Sequence, residues 1–498
     1  MRKPDRVIGR DHEWRVLERF MRPTDDPGLR IGIVSGRRRV GKTFLLTAVE
    51  GETGGLYHAC VQDEGDLAAR RRFAASIARY AGGTPVRHDD HDGWEELLRT
   101  ALAVAARVAP AGTRPVLIID EFPYAMANAP QLPGILQLLY DEAQRDGTSS
   151  GNIILCGSSL SVMRELLSGT KPLRGRATID LRLRPLDYRE TGRLWGIDDA
   201  QTMLHVHACI GGYPGYRRLI DERPSGFADF DRWICDTMLS VGMGVFTSTE
   251  VDYLLREDPR ISDKAIYYDI LGAIADGRVS LSKIGAATGR TKESVRKPIE
   301  TLQSGGYVTS ITDLINHRDT VTVADPIIRF DRLITAPHLG QLELGRQEQV
   351  WKAAAPSFRS QILGPHFEEI AREWLRRFAP DELGRPNGFG DIGTANIPDH
   401  KGRAKHEVDV LAVRGKNIEF IGEAKATLRA QGTSTVERLS LLLRLLADMG
   451  YRTDGAVIAV FSRTGFTPDL TTLARERADI ELVDLDRLFH GRPASTAR

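Results

Sequence analysis

The stretch Leu29-Arg30-Ile31-Gly32-Ile33-Val34-Ser35-Gly36-Arg37-Arg38-Arg39-Val40-Gly41-Lys42-Thr43-Phe44-Leu45-Leu46 constrains this chain more than any other. It joins an apolar run to the start of an apolar helix through a glycine-bounded turn. Gly36 to Thr43 matches G-x-x-x-x-G-K-[ST], the phosphate-binding P-loop, and the chemistry needs each part. The glycines let the backbone N–H groups of Arg37, Arg38, Arg39, Val40, Gly41 and the residues up to Phe44 curl inward around phosphate oxygens. Lys42 reaches the β- and γ-phosphates, and the Thr43 hydroxyl ligates Mg²⁺. The helix that begins near Lys42 sets its positive dipole end beneath them.

A chain of 498 residues is too long for one hydrophobic core, and the length suggests roughly three or four domains. Lys and Arg number 68 against 67 Asp and Glu, so the molecule as a whole is no polycation and any nucleic-acid contact must come from local patches. Cys60, Cys156, Cys209 and Cys235 lie far apart with no C-x-x-C pair, which reads as reduced thiols. No run approaches the roughly 18 apolar residues of a membrane span, and Met1 leads into charged sequence without an apolar signal core. The expectation is a cytoplasmic protein without a membrane segment.

Pro115-Val116-Leu117-Ile118-Ile119-Asp120-Glu121-Phe122 places two carboxylates at the end of an apolar run, as a buried parallel strand ending at an active-site edge would. Buried acids need a cation, and Mg²⁺ at the P-loop supplies one. Asp120 would hold the metal through water, and Glu121 would orient or deprotonate the water that attacks the γ-phosphate. A third strand, Asn152-Ile153-Ile154-Leu155-Cys156-Gly157-Ser158-Ser159, should lie beside it. Ser158 or Ser159 is then placed to sense the γ-phosphate, with helix capping the competing role for either.

Several segments resemble known ATPases. Val7-Ile8-Gly9-Arg10-Asp11-His12-Glu13 is similar to the segment that packs over adenine in AAA+ and STAND proteins, which implies adenine contact by Ile8 and Gly9. The succession of P-loop, Asp120-Glu121-Phe122, Leu155-Cys156-Gly157-Ser158-Ser159, Pro172-Leu173-Arg174-Gly175-Arg176 and Leu183-Arg184-Pro185-Leu186 resembles the archaeal-type DEXX-box ATPases, a branch near the STAND NTPases. Arg174 stands where Tyr is common in that family. The resemblance implies ATP and Mg²⁺ as cofactors. It also implies a nucleotide-responsive Arg176, at a phosphate or at a subunit interface that would assemble copies through the ATPase core. Unaided, the residues show an arginine in a glycine-flanked loop. Gly211-Gly212-Tyr213-Pro214 breaks a helical stretch and resembles the STAND G-x-P motif, in which the proline, here Pro214, packs against adenine. A plain helix-helix turn is the other reading.

From Ala265 the pattern is three short helices and a β-ribbon at 308–323, a helix-turn-helix with a wing. Residues 281–304 hold Lys283, Arg290, Lys292, Arg296 and Lys297 against two glutamates, which suits phosphate contact. Packing as an intramolecular lid is the competing role. Ala324-Asp325-Pro326-Ile327-Ile328-Arg329-Phe330 looks like the family's exit from the wing.

The C-terminal stretch reads as helix 365–378, strands 406–413 and 418–425, helix 435–449 and strand 456–461. That α-β-β-α-β order, with Asp409 and Glu423-Ala424-Lys425 on the paired strands, resembles the PD-(D/E)xK restriction-endonuclease-like core. Side chains alternate along a strand, so Glu423 and Lys425 share a face. Asp409 and Glu423 would hold Mg²⁺, and Lys425 would place the attacking water or neutralise charge. On the helix, Phe367, Ile370, Ala371, Trp374, Leu375 and Phe378 define an apolar stripe that Glu368 flanks, whereas Glu369 points nearly opposite. Phase therefore selects Glu368 as the further acid.

The expected architecture is α/β: a P-loop NTPase parallel-sheet core (1–200), a helical lid (201–260), a winged helix (261–345) and a restriction-endonuclease-like domain (355–492). DNA is the expected partner. The tail 491–498 reads as frayed.

Overall fold

Five strands with burial on both faces build the first sheet: β1 (Leu29–Ser35), β2 (Leu56–Ala59), β3 (Val116–Asp120), β4 (Gly151–Gly157) and β5 (Ala177–Arg182). All pair in parallel, in the order β2-β3-β4-β1-β5. This computed structural model describes every residue except 25–27, 84–92, 148–150, 221, 244, 262, 400–401 and 492–498. Most of the 491–498 tail and the last expected domain residue, 492, thus lie outside the described residues.

The sheet positions chemistry because a parallel β-α unit brings every strand's carboxyl end to the same edge. Val116, Leu117, Ile118 and Ile119 are buried, so β3 is anchored in the core up to the point where its two acids emerge. Strands β2 and β5 escaped the sequence reading. The first is four residues long, and the second alternates between exposed and covered positions, so neither shows an apolar run. The compact unit around this sheet comprises Met1–Leu186 with two short returns of the chain, Tyr213–Gly215 and Arg256–Arg260.

The second unit takes Asp187–Gly212, Tyr216–Leu255 and Ile261–Arg498. Helices Lys264–Ala275, Leu281–Ala287 and Lys292–Ser304 each begin at a side-chain cap, Asp263, Ser280 and Thr291 respectively. The antiparallel hairpin β6 (Val308–Asp313) and β7 (Arg318–Val323) follows, with Val308 opposite Val323. Beyond it lie β8 (Asp391–Asp399), β9 (Ala404–Arg414), β10 (Asn417–Lys425), β11 (Val457–Ser462) and β12 (Ile480–Val483). The seven strands form one sheet ordered β12-β11-β10-β9-β8-β6-β7.

Two features differ from the sequence expectation. Strand β8 intervenes between the helix Gly364–Arg377 and β9. Its residues Asp391-Ile392-Gly393-Thr394-Ala395-Asn396-Ile397-Pro398-Asp399 mix polar positions with Gly393 and Pro398, which conceals a strand. The hairpin is also no separate ribbon, since β6 pairs with β8 through Asp313 and Thr394. A helix, Thr433–Asp448, buries Val436, Leu439, Leu442 and Leu446 in the same cluster as Val408, Leu411, Ile421 and Val460 of the sheet. That packing fixes the register of β9 and β10, on which the C-terminal acids sit. Among the described residues no helix is long and apolar enough to cross a membrane.

Candidate functional site

The loop after β1 has the backbone its sequence requires. A Cβ on Gly36 would stand 2.9 Å from the Leu183 carbonyl oxygen and from Val40 Cγ1, so only glycine lets the turn close. Gly41, at φ 94°, lies in the left-handed region and opens the helix Lys42–Thr53. Arg39 holds φ 68°, a conformation costly for a side chain that bears a Cβ. Lys42 is only 5% exposed, and its Nζ donates to the Arg37 carbonyl at 3.4 Å. A buried ammonium with three donors and one distant neutral acceptor suits an anionic oxygen nearby, as a phosphate would supply.

Of the two strand-end acids, Asp120 meets this loop and Glu121 meets the end of β4. Thr43 Oγ1 donates to Asp120 Oδ2 at 2.7 Å, and the Tyr57 hydroxyl donates to the same oxygen at 2.6 Å. Burial, followed by the Asp120 charge, pushes the Tyr57 pKa upward and keeps it a donor. Asp120 is 2% exposed. Glu121 caps the helix Phe122–Asn128 from a left-handed backbone at φ 52°, an uncommon conformation for a residue with a Cβ. Its Oε2 accepts from the Ser158 N–H at 3.1 Å and from the Ser158 hydroxyl at 3.0 Å. Ser158 therefore touches Glu121, whereas Ser159 occupies the N-cap position of Leu160–Glu165 without a side-chain capping bond.

Later chain segments close over the loop. The hypothetical Cβ of Gly41 would meet Pro214 Cγ at 3.8 Å, and the Gly215 N–H donates to the Arg39 carbonyl at 2.9 Å. Arg37 Nη1 donates to the Tyr213 hydroxyl at 2.9 Å. Gly9, at φ 63°, accepts from Lys3 Nζ at 2.7 Å, and Ile8 beside it is half-buried. The next residue makes the link to the P-loop: Arg10 donates to the Val40 carbonyl at 2.9 Å and to the Arg184 carbonyl at 2.7 Å. Arg176 forms a two-pronged ion pair with Asp141, at 2.7 and 2.8 Å, so the structure engages it with the helix Leu132–Asp146. Sequence reasoning missed Tyr57 altogether and, inside the segments it singled out, the contacts of Arg10 and Tyr213. Each makes its bond across a long sequence separation, and no local pattern reveals the partner.

The C-terminal residues form a second polar cluster. Lys425 Nζ lies 2.6 Å from Glu423 Oε1 and 3.8 Å from Asp409 Oδ2. Asp409 Oδ2 also accepts from the Ala424 N–H at 2.9 Å, which ties β9 to β10 at the acids. Burial, then the Glu423 charge, raises the Asp409 pKa to about 6. Burial, then the Asp409 charge, raises that of Glu368 to about 8. Buried Arg372 donates to the Asp409 carbonyl at 2.7 Å and stands 3.9 Å from Glu368. Glu369, the neighbour on the helix, instead meets Arg329 at 3.3 Å and His366 at 3.5 Å.

Carboxyls raised first by burial and then by a neighbouring acid's charge suit a cation between them. Against that, Glu423 is already held by Lys425 and by Arg438, which also donates to the Glu407 carbonyl at 2.6 Å. Among the described residues no group of three or more His, Cys, Asp or Glu is gathered closely enough to hold a metal ion.

No family model matches the chain. It is 24% identical over 377 residues to the uncharacterized protein MJECL04 of Methanocaldococcus jannaschii, covering 74% of this chain and 77% of that one. Among solved structures it is similar to the Walker-type ATPase PABY2304 of Pyrococcus abyssi, with 20% identity, 66% of this chain and 97% of that chain covered, and a TM-score of 0.49. The ORC2 protein of Aeropyrum pernix matches at 16% identity over 70% of this chain and 96% of that one, with a TM-score of 0.42.

Proposed function

We propose that this chain is an ATP-binding and ATP-hydrolysing switch of the AAA+/STAND kind, which acts on DNA through a winged helix and a Mg²⁺-dependent nuclease-like C-terminal domain. The observation that carries the first half is the convergence of Thr43 and Asp120 at 2.7 Å, beside a Glu121 carboxylate held by Ser158. Lys42 and the N–H groups of Gly36 to Phe44 bind and orient the phosphates. Thr43 and Asp120 would hold the metal, and Glu121 would orient or deprotonate the attacking water. Ile8, Gly9 and Pro214 flank the adenine. Arg176 answers to the nucleotide state from its Asp141 pairing, within one subunit or toward a neighbour.

Bound Mg²⁺ supplies positive charge to the phosphoryl oxygens in either site. In the C-terminal site Asp409 and Glu423 would be the ligands and Glu368 the further acid, once the cation displaces Lys425 and Arg438 from Glu423, and Lys425 would then position the water or offset developing charge. Exposed Lys292, Arg296 and Lys297 on the helix Lys292–Ser304 offer phosphate contacts for DNA.

A second reading is favoured by the pairing of Glu423 with both Lys425 and Arg438. In it, ATP controls a signalling or regulatory scaffold whose last domain binds DNA or protein without cleavage. Nicking assays on supercoiled DNA with Mg²⁺ or Mn²⁺, comparing wild type with Asp409→Ala and Lys425→Ala, separate the two. Wild type that cuts no form of DNA supports the scaffold. For the ATPase, Lys42→Ala should lose nucleotide binding, and Glu121→Gln should bind with turnover cut roughly 10²- to 10⁴-fold. Hydrolysis that persists in both would remove the assignment.

A further inference from the structure

Arg38, the third residue of the P-loop, is committed to a carboxylate. Its Nη1 lies 2.6 Å from Oε1 of Glu257, a side chain only 10% exposed. The two are 219 residues apart in sequence. Glu257 belongs to Arg256–Arg260, the short segment that groups with the first unit although the chain on either side of it does not.

That segment is held rather than loosely draped. Asp258 accepts from the Ser161 hydroxyl at 3.1 Å and takes Arg260 in two bonds, at 3.0 and 2.6 Å. Ser161 in turn lies 3.2 Å, oxygen to oxygen, from Ser159 at the exit of β4. The carboxylate of Glu257 is thus delivered to a fixed place. Burial raises its pKa and Arg38 opposes that rise. The charges of Glu121 and Lys42 act on it too, which puts it within electrostatic reach of both.

A loop shaped to receive anionic oxygens here receives a carboxylate from its own chain. The guanidinium donors that bind a carboxylate are the ones that bind a phosphate, and a single face of Arg38 serves one of them at a time. We propose that Glu257 is an internal competitor for Arg38, which a nucleotide's polyphosphate must displace to occupy the P-loop fully. This rests on the nucleotide-binding reading of that loop. It adds a residue that no motif marks, and it assigns Arg38 to an exchange between two anions. Glu257 then sets the affinity threshold of the site, because its charge both ties up a donor and repels the incoming phosphates.

The test is a titration of N-methylanthraniloyl-ATP and -ADP into the full chain as wild type, Glu257→Gln, Arg38→Ala and the double variant. Circular dichroism confirms that each is folded, and Glu257→Ser stands in should the glutamine variant not fold. Glu257→Gln should bind about tenfold more tightly than wild type. Arg38→Ala should bind more weakly, and in its background the glutamine substitution should change affinity by less than about twofold. Equal or weaker binding by folded Glu257→Gln overturns the proposal while leaving the nucleotide reading intact. A tenfold gain that survives in the Arg38→Ala background also overturns it, because the effect would then be a general field rather than an exchange at Arg38. Wild type with no affinity for either nucleotide removes the underlying reading itself.

Discussion

Ser158 donates both its backbone N–H and its hydroxyl to a single oxygen of Glu121, at 3.1 and 3.0 Å. The carboxylate proposed to activate water is therefore oriented by the end of the neighbouring strand β4. Ser158→Ala removes one of the two donors and leaves the N–H. It should lower ATP turnover about tenfold, against the roughly 10²- to 10⁴-fold loss expected of Glu121→Gln. Nucleotide affinity should change little in either variant, because neither side chain belongs to the phosphate-binding loop. Phosphate-release kinetics beside fluorescent-nucleotide titrations check this, and unchanged turnover in Ser158→Ala would show that the bond has no role in positioning.

Arg10 joins the segment before the first helix, Asp11–Met21, to the P-loop and to the chain beyond β5 through the Val40 and Arg184 carbonyls. Arg10→Met keeps the apolar stem and strands both carbonyls in a buried place. The expected cost is about 3 kcal/mol, since charged donors are lost and the acceptors stay desolvated. For a unit of this size that lowers Tm by roughly 10 °C. Differential scanning calorimetry checks it, and a drop below about 2 °C would mean that the contact is worth no more than an exposed pair.

How much could be read in advance depends on the range of the interaction. The P-loop was legible because its glycines, Lys42 and Thr43 act within eight residues of one another, and Gly36 and Gly41 answer to local backbone geometry. Helical phase separates Glu368 from Glu369, and the two meet different partners, Arg372 at 3.9 Å for one and Arg329 with His366 for the other. Tyr213, Glu257 and Arg10 were not legible. Each makes its bond across a separation at which sequence carries no periodic signal, even where, as for Arg10 and Tyr213, the residue lies inside a segment that stands out. Strand β8 was hidden for a different reason: Gly393 and Pro398 interrupt it, and its neighbours in the sheet supply the pattern that its own residues lack.

The C-terminal acids give a pH dependence of defined sign. Asp409 and Glu368 are raised to about 6 and about 8, so without a divalent cation the folded protein holds protons there that the unfolded chain releases near pH 4. A folded state that binds more protons loses stability as pH rises, here through the window from about 4 to about 8. Glu368→Gln removes that dependence at one position. It should raise Tm at pH 8.5 in EDTA, with the difference vanishing near pH 4, where both forms are neutral. Metal binding has the opposite slope, because a cation needs both carboxylates ionised. Mn²⁺ affinity read by electron paramagnetic resonance should rise from pH 6 to 8.5, and a flat profile would count against Asp409 as a ligand.

Asp313 ends β6 and joins the hairpin to the C-terminal sheet. Its Oδ1 accepts from the Ile315 and Asn316 N–H groups at 3.1 and 2.9 Å. Its Oδ2 accepts from the Asn316 side chain at 2.9 Å and from the Asn396 N–H and side chain, both at 3.1 Å. Burial alone would raise its pKa, but the Asn316 and Asn396 donors, with the Ile315 N–H, outweigh it and lower the value. A depressed carboxyl pKa contributes stability that is present above the unfolded value near pH 4 and fades as pH falls through the folded one. Asp313→Ala leaves these donors buried and unpaired, at a cost of about 3 kcal/mol at pH 7 that should shrink toward pH 3. The loss should be local. Amide hydrogen exchange should quicken in β6, β7 and β8, whereas β10 and β11, which lie farther along the sheet, keep their protection. Uniform exchange across all seven strands would mean that the hairpin is not a separable annex and that Asp313 is one core residue among many.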